Sequence, residues 1–189
     1  MNADLLVYQA KAFYNAYIAL DQLCRDDSDT LLLLFAPLVV NGAFSVELAL
    51  KAILAKNQIE YGKEHNLLIL FQMLPKSFQQ ELWAYLIEKA PEYAGSEKGL
   101  DELILLSNAF VDWRYAFEGK PVPAIESRFL AAFANAAVHT MFSYYNADLL
   151  PATKTEPNNE IEQRFHENRE KCKEINLKMI QKKTKEHQL

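Results

Sequence analysis

The chain has few of the residues that make turns and covalent cross-links. Its 189 residues include only 5 glycines, 7 prolines and 2 cysteines. Strand-rich proteins need many turns and usually contain more glycine and proline, so a β-rich fold is not expected. Cys24 and Cys172 are far apart and form no Cys-x-x-Cys or other ligand pair. We therefore expect two reduced thiols in a cytoplasmic protein.

Signatures of common catalytic and metal sites are also absent. The sequence contains no His-Glu-x-x-His, no glycine-rich phosphate loop and no Gly-x-Ser-x-Gly. Its 4 histidines are scattered, so we propose no metal site, and no motif indicates a cofactor. His139, on a stripe of small residues, is expected to be a hydrogen-bonded core or interface residue. The N-terminal residues lack the basic region of a secretory signal, which agrees with a cytoplasmic location.

The charge of the chain is unevenly distributed around a net value of −5. Residues 1–150 carry 11 Lys and Arg against 18 Asp and Glu, whereas residues 151–189 carry 9 against 7. An acidic body is a poor electrostatic surface for non-specific binding to long nucleic acids. Recognition of a nucleic acid by a local basic pocket stays possible.

Hydrophobic residues make up 50% of the chain and aromatic residues 12%, which is enough for one domain with a substantial core. Apolar residues at helical spacing predict an all-α fold, an antiparallel bundle of five to six helices in residues 1–150. A linker and a charged C-terminal helical tail are expected in residues 151–189. The predicted helices of the bundle run approximately over Ala3–Cys24, Leu31–Ala55, Glu64–Met73, Ser77–Ala90 with Ser77 as N-cap, Leu100–Glu118 and Ala124–Leu149.

The second predicted helix is the most apolar. Its only polar side chains are Asn41, Ser45, Glu47 and Lys51. A transmembrane helix needs about 20 apolar residues, but an Asn, a Glu and a Lys in hydrocarbon would each cost roughly 1–3 kcal/mol or more. The pattern therefore favours a central bundle helix that is buried nearly all round, and no membrane span is expected.

The charged tail carries a thin heptad-like seam over about residues 159–187. This seam could pack back on the bundle, join two copies of the chain, or fray. Its apolar positions are Ile161, Phe165, Cys172, Ile175 and Met179.

Three charged or titratable residues in the first half of the chain are candidates for a site. Glu47 and Lys51 are four residues apart and can form an ion pair on one helix face. The pair is either a solvent-facing salt bridge or part of a cleft, where each buried charge needs its partner. His65 opens the third predicted helix, either as a capping or packing residue or as a neutral acceptor or base favoured by the helix dipole.

A fourth and a fifth candidate, Arg114 and Glu118, lie at the end of the fifth predicted helix. Trp113 and Phe117 belong to the core face of that helix, whereas Arg114 and Glu118 lie on another row and can pair. The pair either orders the helix end structurally or holds the guanidinium of Arg114 ready for an anion such as a phosphate.

The segment Phe44-Ser45-Val46-Glu47-Leu48-Ala49-Leu50-Lys51-Ala52-Ile53-Leu54, followed by His65-Asn66-Leu67 and Leu74-Pro75, resembles the HEPN superfamily. These are small helical bundles of prokaryotic defence, toxin–antitoxin and nucleotide-linked systems. The resemblance covers about residues 5–149 and leaves the tail outside. It implies a homodimer in which the late helices lie near the symmetry axis.

Many members of this superfamily are metal-independent ribonucleases, with an arginine separated by four to six residues from a histidine. In that mechanism the histidine transfers a proton and the arginine steadies phosphate charge. Here Tyr115 follows Arg114, and residues 119–121, Gly-Lys-Pro, stand where the histidine is expected. No Arg-x4–6-His occurs anywhere in the chain. The ribonuclease motif is degenerate, and this departure argues against ribonuclease activity.

The sequence thus predicts a non-catalytic HEPN-like protein that binds RNA, a nucleotide or a partner protein. The expected ligand-binding residues are Arg114, Glu118, Glu47, Lys51 and His65. One alternative is a ribonuclease toxin that uses Arg114 with Glu118 or His65. Another is a structural partner protein whose tail grips a second helix. These residues form one site only if the second and fifth predicted helices bring them together.

Overall fold

The computed structural model describes residues 3–26, 28–94, 97–115, 118 and 122–145, with the backbone alone at residues 25, 26 and 28–33. Within these ranges there is no strand, which confirms the all-α prediction. The predicted tail lies outside the described residues. The α-helices of the described ranges are α1 Ala3–Asp26, α2 Ser28–Lys56, α3 Leu67–Met73, α4 Lys76–Lys89, α5 Glu97–Leu106, α6 Ala109–Arg114 and α7 Ser127–Tyr145.

Helix α2 is the centre of the bundle, as its composition predicts. Every residue from Ser45 to Leu54 is buried, so the helix has no solvent-facing side over almost three turns. By length and composition alone, Leu34–Lys56 could cross a membrane, but 78% of its apolar window is buried inside the protein. Such burial is what the core helix of a bundle shows.

Helix α2 contains two residues that are unusual inside a helix, Pro37 and Gly42. Pro37 lacks an amide hydrogen, and Asn41 donates from its side chain to the carbonyl oxygen of Pro37 at 2.7 Å. One residue later, Gly42 lets three helices approach closely. A β-carbon built at Gly42 would lie 2.9 Å from Tyr17 of α1 and 3.1 Å from Leu130 of α7. A larger residue at this position would force those side chains to move.

Side-chain contacts define the directions of the helices around α2. Phe13 contacts Phe44, with ring centroids 4.6 Å apart, while Tyr17 contacts Gly42, so α1 and α2 run antiparallel. Helix α7 runs in the same direction as α2, since Gly42 meets Leu130 and, further along both helices, Tyr145 donates to the Ala52 carbonyl oxygen at 2.9 Å.

Helix α4 covers α7 in the antiparallel direction. The Phe78 and Tyr144 ring centroids are 4.6 Å apart, and Tyr85 stacks on His139 at 3.9 Å. His139 is exposed, so it stacks at the surface and the core prediction is wrong, whereas the alternative of an interface residue stays a prediction. Lys56, at the end of α2, donates to the Tyr144 carbonyl oxygen at 2.7 Å and so ties the C-terminal ends of α2 and α7 together.

The prediction of one continuous helix from Leu100 to Glu118 is wrong. The chain breaks between α5 and α6 at Ser107 and Asn108. The carbonyl oxygen of Ser107 accepts from the amide of Leu67 at 2.7 Å, and its hydroxyl donates to the Ile104 carbonyl at 2.6 Å. The start of α3 takes a backbone acceptor that a continuous helix would use internally.

Two other predicted helix starts need correction. Helix α3 begins at Leu67 with Asn66 as its N-cap, so His65 lies outside the helix and not in its first turn. Helix α4 begins at Lys76 after Pro75, and the cap position makes no side-chain hydrogen bond, so Ser77 is not the N-cap. The sixth predicted helix corresponds to α7, which begins at Ser127 and not at Ala124, while residues 146–149 of that prediction lie outside the described residues.

Candidate functional site

The carboxylate of Glu47 lies at the centre of a buried polar cluster on α2. Its side chain is only 2% exposed. One oxygen, Oε1, accepts from Lys51 Nζ at 2.8 Å and from His65 Nδ1 at 2.9 Å. The other oxygen, Oε2, is buried and has no hydrogen-bond partner within the described part of the chain. Glu47 therefore joins a residue one turn away on α2 to the loop before α3.

Lys51 is buried with its partner and not directed into solvent. Its side chain is 9% exposed, which corrects the solvent-facing alternative for the pair. The ammonium lies 5.3 Å from the centroid of the Tyr61 ring, a cation–π distance. Burial raises the pKa of Tyr61, and the nearby Glu47 charge raises it further. Because an unpaired buried charge is costly, Lys51 and Glu47 each require the other.

The loop that carries His65 is held by its own neighbours. Glu64 accepts from the backbone amides of His65 and Asn66 at 2.8 and 2.7 Å. The hydrogen bond from Asn66 is the main cause that lowers the pKa of Glu64. Asn66 caps α3 by accepting from the Ile69 amide at 3.0 Å, and its side-chain amide donates to Asn108 at 3.0 Å. The break between α5 and α6 thus contributes to the position of His65.

Phe110 of α6 links His65 to Arg114. The ring centroid of Phe110 is 6.2 Å from that of His65 and 4.8 Å from Cζ of Arg114. On α2, Phe44 stacks against Phe110 with centroids 4.3 Å apart and planes at 12°. The guanidinium of Arg114 and the imidazole of His65 therefore lie beside the same buried aromatic ring.

Arg114 is exposed at the last residue of α6. Its Nη2 donates to the Tyr115 hydroxyl at 3.0 Å, and its Cζ lies 4.7 Å from the Tyr115 ring centroid. Helix α6 ends at Arg114, so the single α-helix that was predicted to carry both Arg114 and Glu118 is not formed. Glu118 is exposed, and its amide donates to the Tyr115 carbonyl at 2.9 Å.

Four of the five predicted site residues are brought together. Glu47, Lys51 and His65 are directly bonded, and Arg114 joins them through Phe110. Glu118 lies beyond the end of α6, where its amide contacts Tyr115.

Sequence patterns did not identify the aromatic and capping residues that hold this cluster. Phe110 could have been found, because it lies four residues before Arg114 and so faces it on a helix. Tyr61 and Glu64 lie in a loop, where residue spacing gives no comparable signal. The sequence indicates Tyr115 only as the residue that follows Arg114 in the degenerate ribonuclease motif.

The cluster offers two accessible groups of different chemistry. Arg114 is a permanent cation whose planar guanidinium suits a phosphate. The His65 side chain is 49% exposed and is oriented by a carboxylate, as in many sites where histidine exchanges a proton or a hydrogen bond. No group of three or more His, Cys, Asp or Glu suited to a metal ion occurs among the residues that the structure describes.

Comparison with known proteins gives one match. Residues 37–128 match the family model of the HEPN domain. The matched range includes all five predicted site residues and spans α2 to the first residues of α7. No curated protein and no solved structure matches the chain.

Proposed function

This chain belongs to the HEPN superfamily, and from that premise we propose that it is a non-catalytic protein that binds RNA or a nucleotide. The ligand is held through a phosphate group at Arg114, beside His65. We further place it in a cytoplasmic, prokaryotic defence or toxin–antitoxin-type setting. The degenerate ribonuclease motif supports binding without cleavage, since residues 119–121 contain no histidine.

The observation that carries this proposal is the position of two ligand-facing groups on one aromatic ring. Arg114 is exposed and the His65 side chain is half exposed, and both lie against Phe110. Charge-assisted hydrogen bonds from a guanidinium to phosphate are strong and geometrically specific. A small cationic site on an acidic protein favours a short, local phosphate contact over a long electrostatic track.

The buried part of the cluster has a supporting role in this proposal. Lys51 and Glu47 are almost fully enclosed, so they do not contact the ligand in this conformation. Their pairing keeps Glu47 in place, and Glu47 in turn orients His65. The site therefore consists of two contacting residues and a two-residue support.

The test is direct binding of a fluorescein-labelled single-stranded RNA decamer, followed by fluorescence anisotropy. Arg114→Ala is expected to weaken binding roughly 10- to 100-fold, because a hydrogen bond to a charged group contributes about 1.5–3 kcal/mol. Arg128→Ala is the matched control. Arg128 is 70% exposed on α7 and pairs with Glu92, and its loss should leave the affinity within about twofold of wild type.

Equal losses in the two arginine variants would contradict the proposal, because they would indicate non-specific attraction to exposed positive charge. Absence of saturable RNA binding together with absence of nucleotide binding would also contradict it. Competition with adenosine monophosphate separates the two ligand sources. A nucleotide site is inhibited at similar concentrations by nucleotide and oligomer, whereas an RNA site prefers the oligomer.

A second candidate function, a metal-independent ribonuclease, is favoured by one observation. His65 Nδ1 is 2.9 Å from a buried carboxylate, an arrangement that orients a histidine as a general base. In that case His65, and not the misplaced Glu118, would take the proton from a 2′-hydroxyl while Arg114 steadies the phosphate. Expression would then arrest growth, and both Arg114→Ala and His65→Phe would relieve the arrest.

We also propose a homodimer, on the basis of the superfamily. Light scattering coupled to size-exclusion chromatography measures the mass directly, with one chain at 21.7 kDa. A dimer that becomes a monomer when the chain is truncated at Pro151 would favour assembly through the charged tail. A dimer that survives this truncation would place the interface in the bundle.

A further inference from the structure

We propose that Glu47 fixes the tautomer of His65 so that His65 accepts a hydrogen bond from the 2′-hydroxyl of the ligand. The site would then select ribonucleotides over deoxyribonucleotides. This inference rests on the proposed function, because it assumes a phosphate-bearing ligand at Arg114. It assigns Glu47 the role of a positioning residue and His65 the role of a specificity residue.

The first step concerns the hydrogen between His65 and Glu47. Nδ1 of His65 lies 2.9 Å from Oε1 of Glu47. An ionised carboxylate only accepts hydrogen bonds, so Nδ1 must carry the hydrogen and donate it. A neutral imidazole has one N–H group. Nε2, on the opposite side of the ring, is then left as an acceptor.

The second step is that Glu47 cannot easily adapt to a different tautomer. Its side chain is 2% exposed, and Lys51 donates to the same oxygen at 2.8 Å. It also lies within the fully buried run of α2. A rotation of this carboxylate would break the Lys51 ion pair within the core. The tautomer of His65 is therefore set by Glu47.

The third step concerns what Nε2 can contact. The His65 side chain is 49% exposed, so a ligand can reach it. A phosphate oxygen is also an acceptor and would be repelled by the lone pair of Nε2, which leaves the phosphate to Arg114. The natural donor close to a phosphate in RNA is the ribose 2′-hydroxyl, the group that DNA lacks.

The experiment compares three oligomers of one sequence: RNA, DNA and 2′-fluoro RNA. The fluorinated strand keeps an RNA-like sugar conformation but has no hydroxyl to donate. Wild-type protein is expected to bind RNA roughly 3- to 10-fold more tightly than either analogue, the effect of one neutral hydrogen bond. His65→Phe should remove this preference, so that the three oligomers bind with similar affinity.

His139→Phe is the matched control, because His139 is also exposed but stacks on Tyr85 between α4 and α7. It should retain the preference for RNA. A second measurement reads the tautomer directly. The imidazole ¹⁵N shifts of His65, assigned by comparison with His65→Phe, should show protonation at Nδ1 in wild type, and this signature should weaken in Glu47→Gln.

The outcomes separate this inference from the proposed function. If Arg114→Ala leaves RNA binding intact, the phosphate site itself is wrong. If Arg114→Ala weakens RNA and both analogues, but His65→Phe leaves their ratio unchanged, only the present inference fails. Equal wild-type affinity for RNA and 2′-fluoro RNA would also overturn it, and so would a hydrogen on Nε2 of His65 in the free wild-type protein.

Discussion

Two carboxylate–cation pairs of the same spacing have different environments in this protein. Glu47 and Lys51 lie on the uninterrupted helix α2 and form a buried ion pair at 2.8 Å. Arg114 and Glu118 are also four residues apart, but α6 ends at Arg114 and both residues are exposed. Equal spacing therefore does not fix the environment of a pair: one pair is buried on a continuous helix, whereas the other is exposed where a helix ends.

The contrast also indicates which pair matters for stability and which for binding. A buried ion pair is strongly destabilised when one partner is removed, because the other charge remains in the core. Exposed charges contribute little to stability and remain available to ligands. We therefore expect the α2 pair to maintain the site and the exposed arginine to contact the ligand.

The largest expected effect comes from breaking the buried pair. Glu47→Ala should reduce the free energy of unfolding by about 3–5 kcal/mol, because Lys51 is left buried and unpaired. Urea denaturation followed by circular dichroism measures this. The control is Glu47→Leu combined with Lys51→Met, which removes both charges and should cost clearly less. A single-variant loss below about 1 kcal/mol would mean that water reaches the pair.

The second-largest effect on stability should come from Asn66, which joins the start of α3 to the break between α5 and α6. Asn66→Ala removes the N-cap of α3 and the hydrogen bond to Asn108, and should cost about 1–2 kcal/mol in the same assay. Asn57→Ala, at the end of α2, changes the same residue type away from His65 and serves as the comparison. If Asn66→Ala preserves stability, α3 does not depend on this cap.

Lowering the pH is expected to have a smaller effect on the free energy of unfolding. The pKa of Glu64 is lowered below its ordinary value of 4.5, mainly by the hydrogen bond from the Asn66 amide. Its contribution to stability is therefore complete above pH 4.5 and is lost as the pH falls through the folded-state pKa. Wild type should lose this increment as the pH falls below 4.5, and Glu64→Gln should lack it in stability measurements over the same acidic range. Parallel pH profiles would contradict this role.

The smallest effect should come from the exposed pair. Glu118→Ala is expected to change the unfolding free energy by less than about 0.5 kcal/mol, because the residue is exposed and lies beyond the end of α6. It should also leave RNA affinity unchanged or raise it slightly, since it removes a negative charge from the region after Arg114. A large loss of stability or of RNA affinity would contradict this prediction and show that Glu118 belongs to the site.

Much of the fold follows from apolar spacing, and the exceptions have physical causes. The periodic patterns of α1, α2 and α7 are long enough for local helix formation and core burial to agree. The break at Ser107 has no glycine or proline to signal it. It exists because Leu67, distant in sequence, takes the Ser107 carbonyl oxygen. A single-sequence reading cannot see such a tertiary hydrogen bond.

The candidate site was also predictable only in part. Charged residue types in apolar surroundings identified Glu47 and Lys51 as candidates, but the sequence left open whether the pair is buried or faces solvent. The contact between His65 and Glu47 spans 18 residues and a loop, so no periodicity could predict it. The start of α3 at Leu67 was predictable, because Asn66 precedes an apolar segment and asparagine is a favoured N-cap.

The close approach at Gly42 has a consequence for how the protein opens. Helices α1, α2 and α7 touch at this residue with no room for a methyl group. Solvent can reach the amides of α2 in this region only if all three helices separate together. Their hydrogen exchange should therefore follow global unfolding, whereas amides in the loop at residues 57–66 exchange through local fluctuations. Glu47, which supports His65, would belong to the part of the chain that opens only globally, and His65 itself to a loop that opens locally.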